Sequence, residues 1–283
     1  MKPFLKWAGG KTQLLDEINN RYIASKKYCE PFIGGGAVLF DLVEKNIFDE
    51  IYISDINKEL ISTYKSVRDN CKLLIESLKE IEKEYLILDK HERELYYYSR
   101  REKFNSLIKE KEYDEFSVAS NFLFLNKTCF NGLYRVNSKG LFNVPIGSYK
   151  NPTISDDKNL LEASSLLKGV EIINAPYEAC YEFVDEQTFV YMDPPYRPLS
   201  DTSSFNSYSS SSFNDESQTN LKSFIDILSM KKAKVLLSNS DTKDNFFDEL
   251  YSEYTIERVM AKRMINSKGT KRNQIEELLI RNY

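Results

Sequence analysis

The sequence predicts an α/β fold in which an open, mainly parallel sheet is interrupted by a mainly helical insertion that carries a β-hairpin. Short apolar runs typical of buried strands, such as residues 188–192, end in turn-forming residues. A strand, a glycine turn at 34–36 and a helix follow one another directly, as at the start of a doubly wound sheet. Helical patterns fill residues 57–125, a stretch much longer than one crossover needs. We therefore predict a sheet domain and an inserted subdomain, comprising residues 1–56 with 168–283 and residues 57–167, respectively.

Hydrophobic periodicity and turn residues define the individual elements. Before the insertion they predict helices at 13–23 and 37–44, and strands near 27–30 and at 50–54. The insertion is predicted to hold helices at 56–68, 72–88, 96–109 and 116–125. It ends in a hairpin with strands at 134–137 and 141–144 around a Ser-Lys-Gly turn. The sheet then resumes with strands at 171–174, 188–192, 234–238, 253–259 and 276–280, and helices at 214–230 and 240–250.

Composition excludes several classes of protein. The chain contains one histidine, His91, in a highly charged stretch where we expect it to be solvated, so Ser-His and Cys-His hydrolase schemes are disfavoured. The four cysteines show no CxxC spacing, which indicates buried, reduced thiols of a cytosolic protein and no metal site. No run of about 18 apolar residues occurs, so no membrane-spanning helix is expected.

The charge is distributed unevenly along the chain. The net charge is −4, yet residues 1–15, 116–155 and 258–275 contain lysine and arginine and no acidic residue. A locally basic cleft on an acidic protein is compatible with DNA binding, since only the cleft must neutralise phosphates. Random clustering of the charges explains this pattern equally well.

The four residues Asp193-Pro194-Pro195-Tyr196 follow the buried strand at 188–192. Two consecutive prolines fix the backbone and remove two N–H donors, just past the carboxyl end of a strand, where open α/β sheets bind their ligands. The Asp193 carboxylate and the Pro194 carbonyl can accept both N–H bonds of a planar amino group, and the Tyr196 ring can stack on a base. A serine-rich stretch at 200–212 follows and is predicted to be a mobile loop beside this site.

The glycine turn at 34–36 permits close approach of a ligand to the backbone, and the following helix offers free N–H groups. Asp55 ends the next strand about 20 residues later, where a carboxylate can bind ribose hydroxyls. Because G-x-G-x-x-G is absent, a nucleoside without a pyrophosphate fits better than a dinucleotide. The earlier Gly9-Gly10-Lys11-Thr12 does not make a phosphate loop, because Leu5 stands where that motif requires glycine.

In their order along the chain, these motifs resemble the Dam-type, class D12, DNA adenine-N6 methyltransferases of the α group, and are most similar to the DpnM-like methyltransferases of restriction–modification systems. The similarity runs nearly end to end. It is carried by Phe4–Lys11, Glu30–Gly36, Asp55, the hairpin Cys129–Pro145, Asp193–Tyr196 and Asn266-Ser267-Lys268-Gly269. Lys127 and Ser148 depart from the pattern, since many relatives have arginine at both positions.

The resemblance implies a Rossmann-like methyltransferase sheet that binds S-adenosylmethionine (SAM) at the glycine turn. It also implies that the catalytic residues are those of the Asp-Pro-Pro-Tyr motif: Asp193, Pro194, Pro195 and Tyr196. The residues expected to surround SAM are Trp7, Gly9, Lys11, Phe32, Gly34, Gly36, Asp55, Tyr177 and Asp193.

The resemblance further implies that the hairpin reads double-stranded DNA, with GATC as the sequence read by close relatives. Arg135 is expected to contact guanine O6 and N7, and Lys6 a flanking guanine. Leu133 and Pro145 would meet a thymine methyl, and Phe130 would wedge into the base stack near Asn131. We expect a monomeric, cytoplasmic enzyme of a bacterium or phage, which could share its site with a restriction endonuclease without forming a stable complex.

Other functions remain open on the sequence alone. The same chemistry could act at another DNA sequence, on cytosine N4, on RNA or on a protein glutamine. A catalytically silent DNA-binding module is a further alternative, which the intact Asp193-Pro194-Pro195-Tyr196 and Asp55 disfavour.

Overall fold

The computed structural model describes residues 1–197, 213–242, 244–262 and 274–283. Within them the strands are β1 (Lys27–Glu30), β2 (Glu50–Asp55), β3 (Glu171–Asn174), β4 (Thr188–Met192), β5 (Lys234–Ser240), β6 (Thr255–Lys262) and β7 (Gln274–Arg281). They form one sheet in the order β3-β2-β1-β4-β5-β7-β6. Strands β1 to β5 are parallel, whereas β7 is antiparallel to both of its neighbours. The α/β fold class is thus confirmed.

The strand order reverses between β1 and β4. From β1 the chain proceeds through β2 to β3 on one side, and from β4 to β5 on the other. A crevice therefore opens beyond the carboxyl ends of β1 and β4, the usual ligand site of such sheets. The residues that follow these two strands are Pro31 and Asp193.

Strand β4 is buried along its whole length because both faces of the sheet are covered. Successive side chains alternate between two apolar clusters. Phe189 and Tyr191 belong to the cluster that includes residues of α2 (Ala37–Lys45) and α3 (Lys58–Asp69), while Val190 and Met192 pack with α8 (Asp215–Met230). The apolar run that predicted this strand is therefore explained by burial on both sides.

The other helices are α1 (Leu15–Asn19), α4 (Cys71–Leu86), α5 (Lys90–Leu107), α6 (Glu115–Thr128), α7 (Asp157–Leu166) and α9 (Phe246–Leu250). Two 3₁₀-helices span Phe130–Gly132 and Tyr177–Glu182. Helices α3 to α6 confirm the predicted helical block. Their buried side chains belong to the same apolar cluster as one face of the sheet, and the division into two domains stays a prediction.

The observed helices differ from the predicted ones at four places. Helix α5 begins at Lys90, before the predicted start at 96. Helix α1 is shorter than the predicted 13–23, and α7 was not predicted. The predicted helix at 240–250 begins only at Phe246, because β5 continues to Ser240, where it pairs with Glu277 of β7. Both the serine-rich stretch at 200–212 and the motif at 266–269 lie outside the described residues.

The predicted hairpin is present but irregular. The Asn143 N–H donates to the Arg135 carbonyl at 3.0 Å and the Asn137 N–H to the Leu141 carbonyl at 2.9 Å, with one isolated bridge between Val136 and Phe142. The side chain of Asn105 in α5 hydrogen-bonds both the N–H and the carbonyl of Phe142, at 2.8 and 3.0 Å. Side chains thus replace part of the regular ladder.

Other expectations from composition can be compared directly. All four cysteines are buried and unpaired, as predicted, and His91 is exposed. In the parts of the chain that the structure describes, no helix has the length and hydrophobicity needed to span a membrane.

Candidate active site

The carboxylate of Asp193 lies at the crevice between β1 and β4 and is held on one side. Its Oδ1 accepts hydrogen bonds from the Lys11 ammonium at 2.7 Å and from the Ser238 hydroxyl at 3.1 Å. Among the described residues nothing donates to its Oδ2 or to the carbonyl of Pro194. The Asp193 side chain is 19% exposed, whereas Pro194 is buried, and both oxygens keep their capacity to accept hydrogen bonds.

Lys11 is a buried cation among carboxylates. Its side chain is only 5% exposed, and besides Asp193 its ammonium donates to the Gly9 carbonyl at 2.9 Å and lies 3.9 Å from Glu277. Glu30 also contributes to this charge cluster: burial raises its pKa well above the usual range, and the nearby Asp193 raises it further. Burial likewise raises the pKa of Asp193, an effect that Lys11 opposes.

The ring of Tyr196 borders the same space. The Lys11 ammonium lies 4.7 Å from the ring centroid, and the Tyr196 hydroxyl donates to Oε2 of Glu277 at 2.9 Å. Behind the turn, the fully buried Gln218 donates to the Pro195 carbonyl at 3.4 Å and accepts from Asn239 at 3.2 Å. Hydrogen bonds from α8, β5 and β7 thus support the Asp-Pro-Pro-Tyr turn.

The glycine turn after β1 needs glycine for two reasons. Gly34 and Gly36 have φ of +46° and +70°, in the left-handed region that favours glycine. A Cβ at Gly34 would lie 2.8 Å from the Trp7 ring, and one at Gly36 would overlap the Tyr64 hydroxyl. The absence of these side chains lets Trp7 and Tyr64 pack directly against the turn.

Asp55 organises the end of β2 beside this turn. Its carboxylate accepts the N–H of Gly34 at 3.2 Å and that of Asn57 at 2.9 Å. Burial raises the pKa of Asp55, while these backbone hydrogen bonds oppose the shift. Nearby, Phe32 after β1 stacks on Tyr177 after β3, with centroids 5.3 Å apart and planes at 26°. The predicted cofactor residues therefore gather along the ends of β1, β2, β3 and β4.

Most residues predicted to contact DNA lie on the exposed side of the hairpin. Phe130 is 48% exposed. Its N–H donates to the carbonyl of Pro145 at 2.9 Å, and Pro145 is exposed as well. Asn131 is exposed and has a φ of 56°. Leu133 is half-buried. Arg135 is exposed, and its Nε donates to the Asn143 side chain at 2.8 Å.

Lys6 is fixed beside the hairpin although it lies in another part of the sequence. The buried Asn126 side chain accepts the Lys6 N–H at 2.8 Å and donates to the Lys6 carbonyl at 2.8 Å and the Gly132 carbonyl at 3.1 Å. A Cβ at Gly132 would overlap the Lys6 side chain. Lys6 and the hairpin therefore form one surface.

Several residues that support the site were not identified from the sequence. Periodicity indicates that a residue lies in a strand or helix, but the neighbours of its side chain depend on register and packing. Glu30 is part of a quoted motif, yet nothing local reveals its burial beside Lys11. These supporting residues are Glu30, Asn126, Gln218, Ser238, Asn239 and Glu277.

The sheet order and the glycine turn define a Rossmann-like α/β enzyme of the methyltransferase type. Residues 7–265 match the family model of the D12 class N6 adenine-specific DNA methyltransferases. The chain belongs to this family and is an adenine-specific DNA methyltransferase.

Relatives match along the whole chain. The Type II methyltransferase M.MjaIII of Methanocaldococcus jannaschii is 50% identical over 290 residues, covering 100% of this chain and 99% of the relative. The Type II methyltransferase M1.LlaDCHI of Lactococcus lactis subsp. cremoris is 37% identical, covering 100% and 96%. The DNA adenine methylase of Escherichia coli K12 is 34% identical, covering 98% and 94%.

Proposed function

We propose that this protein transfers the methyl group of SAM to N6 of an adenine flipped out of double-stranded DNA, within the sequence GATC. The observation that carries the proposal is a pair of hydrogen-bond acceptors at the point where the strand order reverses, between β1 and β4. Oδ2 of Asp193 and the Pro194 carbonyl make no hydrogen bond with the described residues. Tyr196 follows them in the same turn.

These acceptors match the two N–H bonds of an adenine amino group. The N6 lone pair is shared with the ring, so N6 is a poor nucleophile. Hydrogen bonds to Asp193 and Pro194 favour a pyramidal nitrogen whose lone pair is available. Positive charge then develops on N6 next to the Asp193 carboxylate, which stabilises the transition state electrostatically. Because Lys11 and Ser238 bind only Oδ1, the carboxylate keeps its orientation while Oδ2 receives the substrate.

The target base must leave the duplex to reach this site. Flipping costs a few kcal/mol because the base loses stacking and pairing. Stacking on the Tyr196 ring would recover part of that cost, and Phe130 could fill the space that the base leaves. Fluorescence of 2-aminopurine placed at the target position should rise on binding, and an unchanged signal would contradict flipping.

The residues around the glycine turn fit SAM. Gly34 is partly exposed and donates its N–H to the Asp55 carboxylate, which can also accept ribose hydroxyls. Phe32 and Tyr177 offer aromatic surfaces for the adenine ring. The acidic surroundings of Lys11 suit a ligand that carries both an ammonium and a carboxylate. When bound, SAM supplies an electrophilic methyl group on a sulfonium centre. Trp7, Gly9, Lys11 and Asp193 complete the proposed set.

The hairpin is proposed to read the sequence. Arg135 can direct its guanidinium at guanine O6 and N7, and Lys6 would reach a flanking guanine from the same surface. Leu133 and Pro145 would contact a thymine methyl, with Asn131 beside them. Support comes from the exposure of Phe130, Asn131, Arg135 and Pro145 and from the attachment of Lys6 to the hairpin through Asn126.

The biological setting is part of the proposal. Two of the relatives are named Type II methyltransferases, which supports a role alongside a restriction endonuclease that acts on the same site without a stable complex. We propose that the enzyme acts as a monomer in the cytoplasm, where its DNA substrate lies.

The deciding experiment is methyl transfer from labelled SAM to unmethylated genomic DNA, with the modified positions mapped at base resolution. N6-methyladenine confined to GATC would support both the chemistry and the assignment of the hairpin. N6-methyladenine in another context would retain the mechanism and overturn the roles of Arg135 and Leu133. If SAM binds but no DNA is methylated, the proposed reaction is wrong.

A further inference from the structure

We infer that Tyr134 couples the cofactor site to the DNA-reading hairpin, so that occupation of one site raises affinity at the other. The inference rests on the proposed function, because it takes SAM as the ligand near Trp7 and DNA as the ligand of the hairpin. Tyr134 has no assigned role in either site. It is a positioning residue, and its side chain is only 7% exposed.

Tyr134 lies between the two base-reading residues of the hairpin. The segment is extended at Leu133, and in such a segment alternate side chains point to opposite sides. Arg135 is exposed and Leu133 is half-buried, whereas Tyr134 points into the protein. A displacement of the Tyr134 ring therefore moves the backbone that carries both DNA-facing side chains.

On its inner side Tyr134 contacts the cofactor site through its ring. The ring stacks on Trp7 with centroids 5.4 Å apart and planes at 24°. The Trp7 ring in turn lies directly against Gly34 of the glycine turn, so closely that a Cβ at Gly34 would be 2.8 Å from it. Gly34 also donates its N–H to Asp55. Three consecutive contacts thus join Asp55 to the hairpin.

A second contact runs through the hydroxyl. The Tyr134 hydroxyl donates to Oε2 of Glu59 at 3.2 Å. Glu59 belongs to the first turn of α3, directly after the segment in which Asp55 accepts the Asn57 N–H. The Tyr134 ring also contacts Phe122 and Phe142, with centroids at 5.5 and 5.8 Å. Since buried aromatic groups are packed at crystal-like density, the ring has no free space in which to absorb a shift of Trp7.

Such an arrangement predicts a coupling free energy, which must be reciprocal between the two ligands. With S-adenosylhomocysteine as a non-reactive probe, its saturation should tighten binding of a GATC duplex by about 10-fold, and the duplex should tighten binding of the probe by the same factor. Tyr134→Leu removes both the stack and the hydroxyl and should bring this factor to about 1. Tyr134→Phe keeps the stack and should retain an intermediate factor.

Tyr97 provides a matched control. Its hydroxyl is buried and donates to the Val144 carbonyl of the hairpin at 2.8 Å, so Tyr97→Phe also removes one hydroxyl that anchors the hairpin. Tyr97 lies in α5, and none of its ring contacts involves Trp7. Tyr97→Phe should therefore leave the coupling factor unchanged, even if it weakens DNA binding.

The test is a titration of labelled GATC duplex by fluorescence anisotropy, with and without saturating S-adenosylhomocysteine, for all four proteins. Trp7 is the only tryptophan in the chain, so its emission offers a second readout. Duplex added without the probe should alter Trp7 emission in the unmodified protein and leave it unchanged in Tyr134→Leu.

The outcomes separate this inference from the proposed function. If the unmodified protein binds neither the probe nor the GATC duplex, the proposed function fails. If the unmodified protein binds both ligands without coupling, only the inference is overturned. The same holds if Tyr134→Leu lowers both affinities but keeps the factor by which one ligand tightens the other. A loss of coupling in Tyr134→Leu together with normal coupling in Tyr97→Phe supports it.

Discussion

Replacing Asp193 with asparagine separates charge from hydrogen bonding at the catalytic turn. The amide oxygen still accepts a hydrogen bond, but the negative charge next to N6 is lost. Removal of one preorganised electrostatic group costs about 2.7–4 kcal/mol in the transition state, so kcat should fall by about 10²- to 10³-fold. Binding of a GATC duplex should change little, because Asp193 lies at the crevice and away from the hairpin.

The same substitution should destabilise the protein. Lys11 is 5% exposed and loses the carboxylate 2.7 Å away. Breaking a buried ion pair by removing one partner costs about 3–5 kcal/mol. The Gly9 carbonyl at 2.9 Å and Glu277 at 3.9 Å remain as partners of the ammonium. We therefore expect a loss of about 2 kcal/mol in the free energy of unfolding, below that range.

A double variant distinguishes the two effects. Lys11→Met leaves no buried ammonium, so the combination with Asp193→Asn should regain most of the lost stability in urea denaturation without ligands. Single-turnover transfer of labelled methyl groups to a GATC duplex reports on the chemical step. The smallest loss expected for such an electrostatic group is about 10²-fold. A single-turnover rate of Asp193→Asn within about 10-fold of the unmodified protein would therefore refute the catalytic role. Additive stability losses in the double variant would refute the ion-pair argument.

Four further substitutions test other contacts of the site. Tyr196→Phe removes the hydroxyl that donates to Glu277 and should lower kcat by about 10-fold, as for a hydrogen bond to a charged group. The double variant Tyr196→Phe/Glu277→Gln should have nearly the same kcat as Tyr196→Phe alone. Gly36→Ala should lower the free energy of unfolding by about 1–3 kcal/mol, since φ is +70° and the methyl overlaps Tyr64, and urea denaturation measures it. Burial raises the pKa of Glu30, so the folded state binds this proton more tightly than the unfolded state. Between the ordinary pKa of a glutamate and the raised pKa of Glu30, this carboxyl therefore makes the free energy of unfolding fall as the pH rises. In Glu30→Gln that fall should be smaller, as measured by unfolding at acidic and neutral pH.

The fold could be predicted because its main signals are local. Strand β4 is buried on both faces, and after Thr188 it is therefore an apolar run, Phe189–Met192, which ends at Asp193 and two prolines. The helices of the insertion carry clear periodicity, although α5 begins at Lys90 instead of the predicted residue 96, after a capping box in which Asp89 and Glu92 exchange hydrogen bonds. Such features depend on neighbours in sequence, which are visible without the structure.

The errors have physical causes that lie elsewhere in the chain. The segment after β5 was predicted as a helix from residue 240, but pairing with β7 extends the strand to Ser240. Helix α9 begins only after Asn245, whose φ of 61° is left-handed. Tertiary pairing thus overrides local propensity. In the hairpin, Asn105 takes the polar groups of Phe142, so a regular ladder is not needed.

In the candidate site, too, some residues could be predicted from local sequence and others depend on contacts between distant segments. Asp193, Asp55 and the glycines could be predicted because turns and strand ends have characteristic residues. Ser238 and Glu277 could not, because their contacts with Asp193 and Tyr196 arise only when β5 lies beside β4 and β7 beside β5. A strand pattern specifies which face a residue occupies, whereas the partner across the sheet is set by register.

Residues 6 to 11 connect the three parts of the proposed machinery. Lys6 is attached to the hairpin through Asn126, Trp7 packs on the glycine turn, and the Lys11 ammonium binds Asp193. The segment has no helix or strand of its own, so these side-chain contacts fix its position. A substitution at any one of these contacts can therefore shift the others through a few residues of shared backbone. Activity alone therefore does not identify the role of a residue in this segment. Its role can be identified by separate titrations of a cofactor analogue and of DNA, combined with the pH dependence of the chemical step.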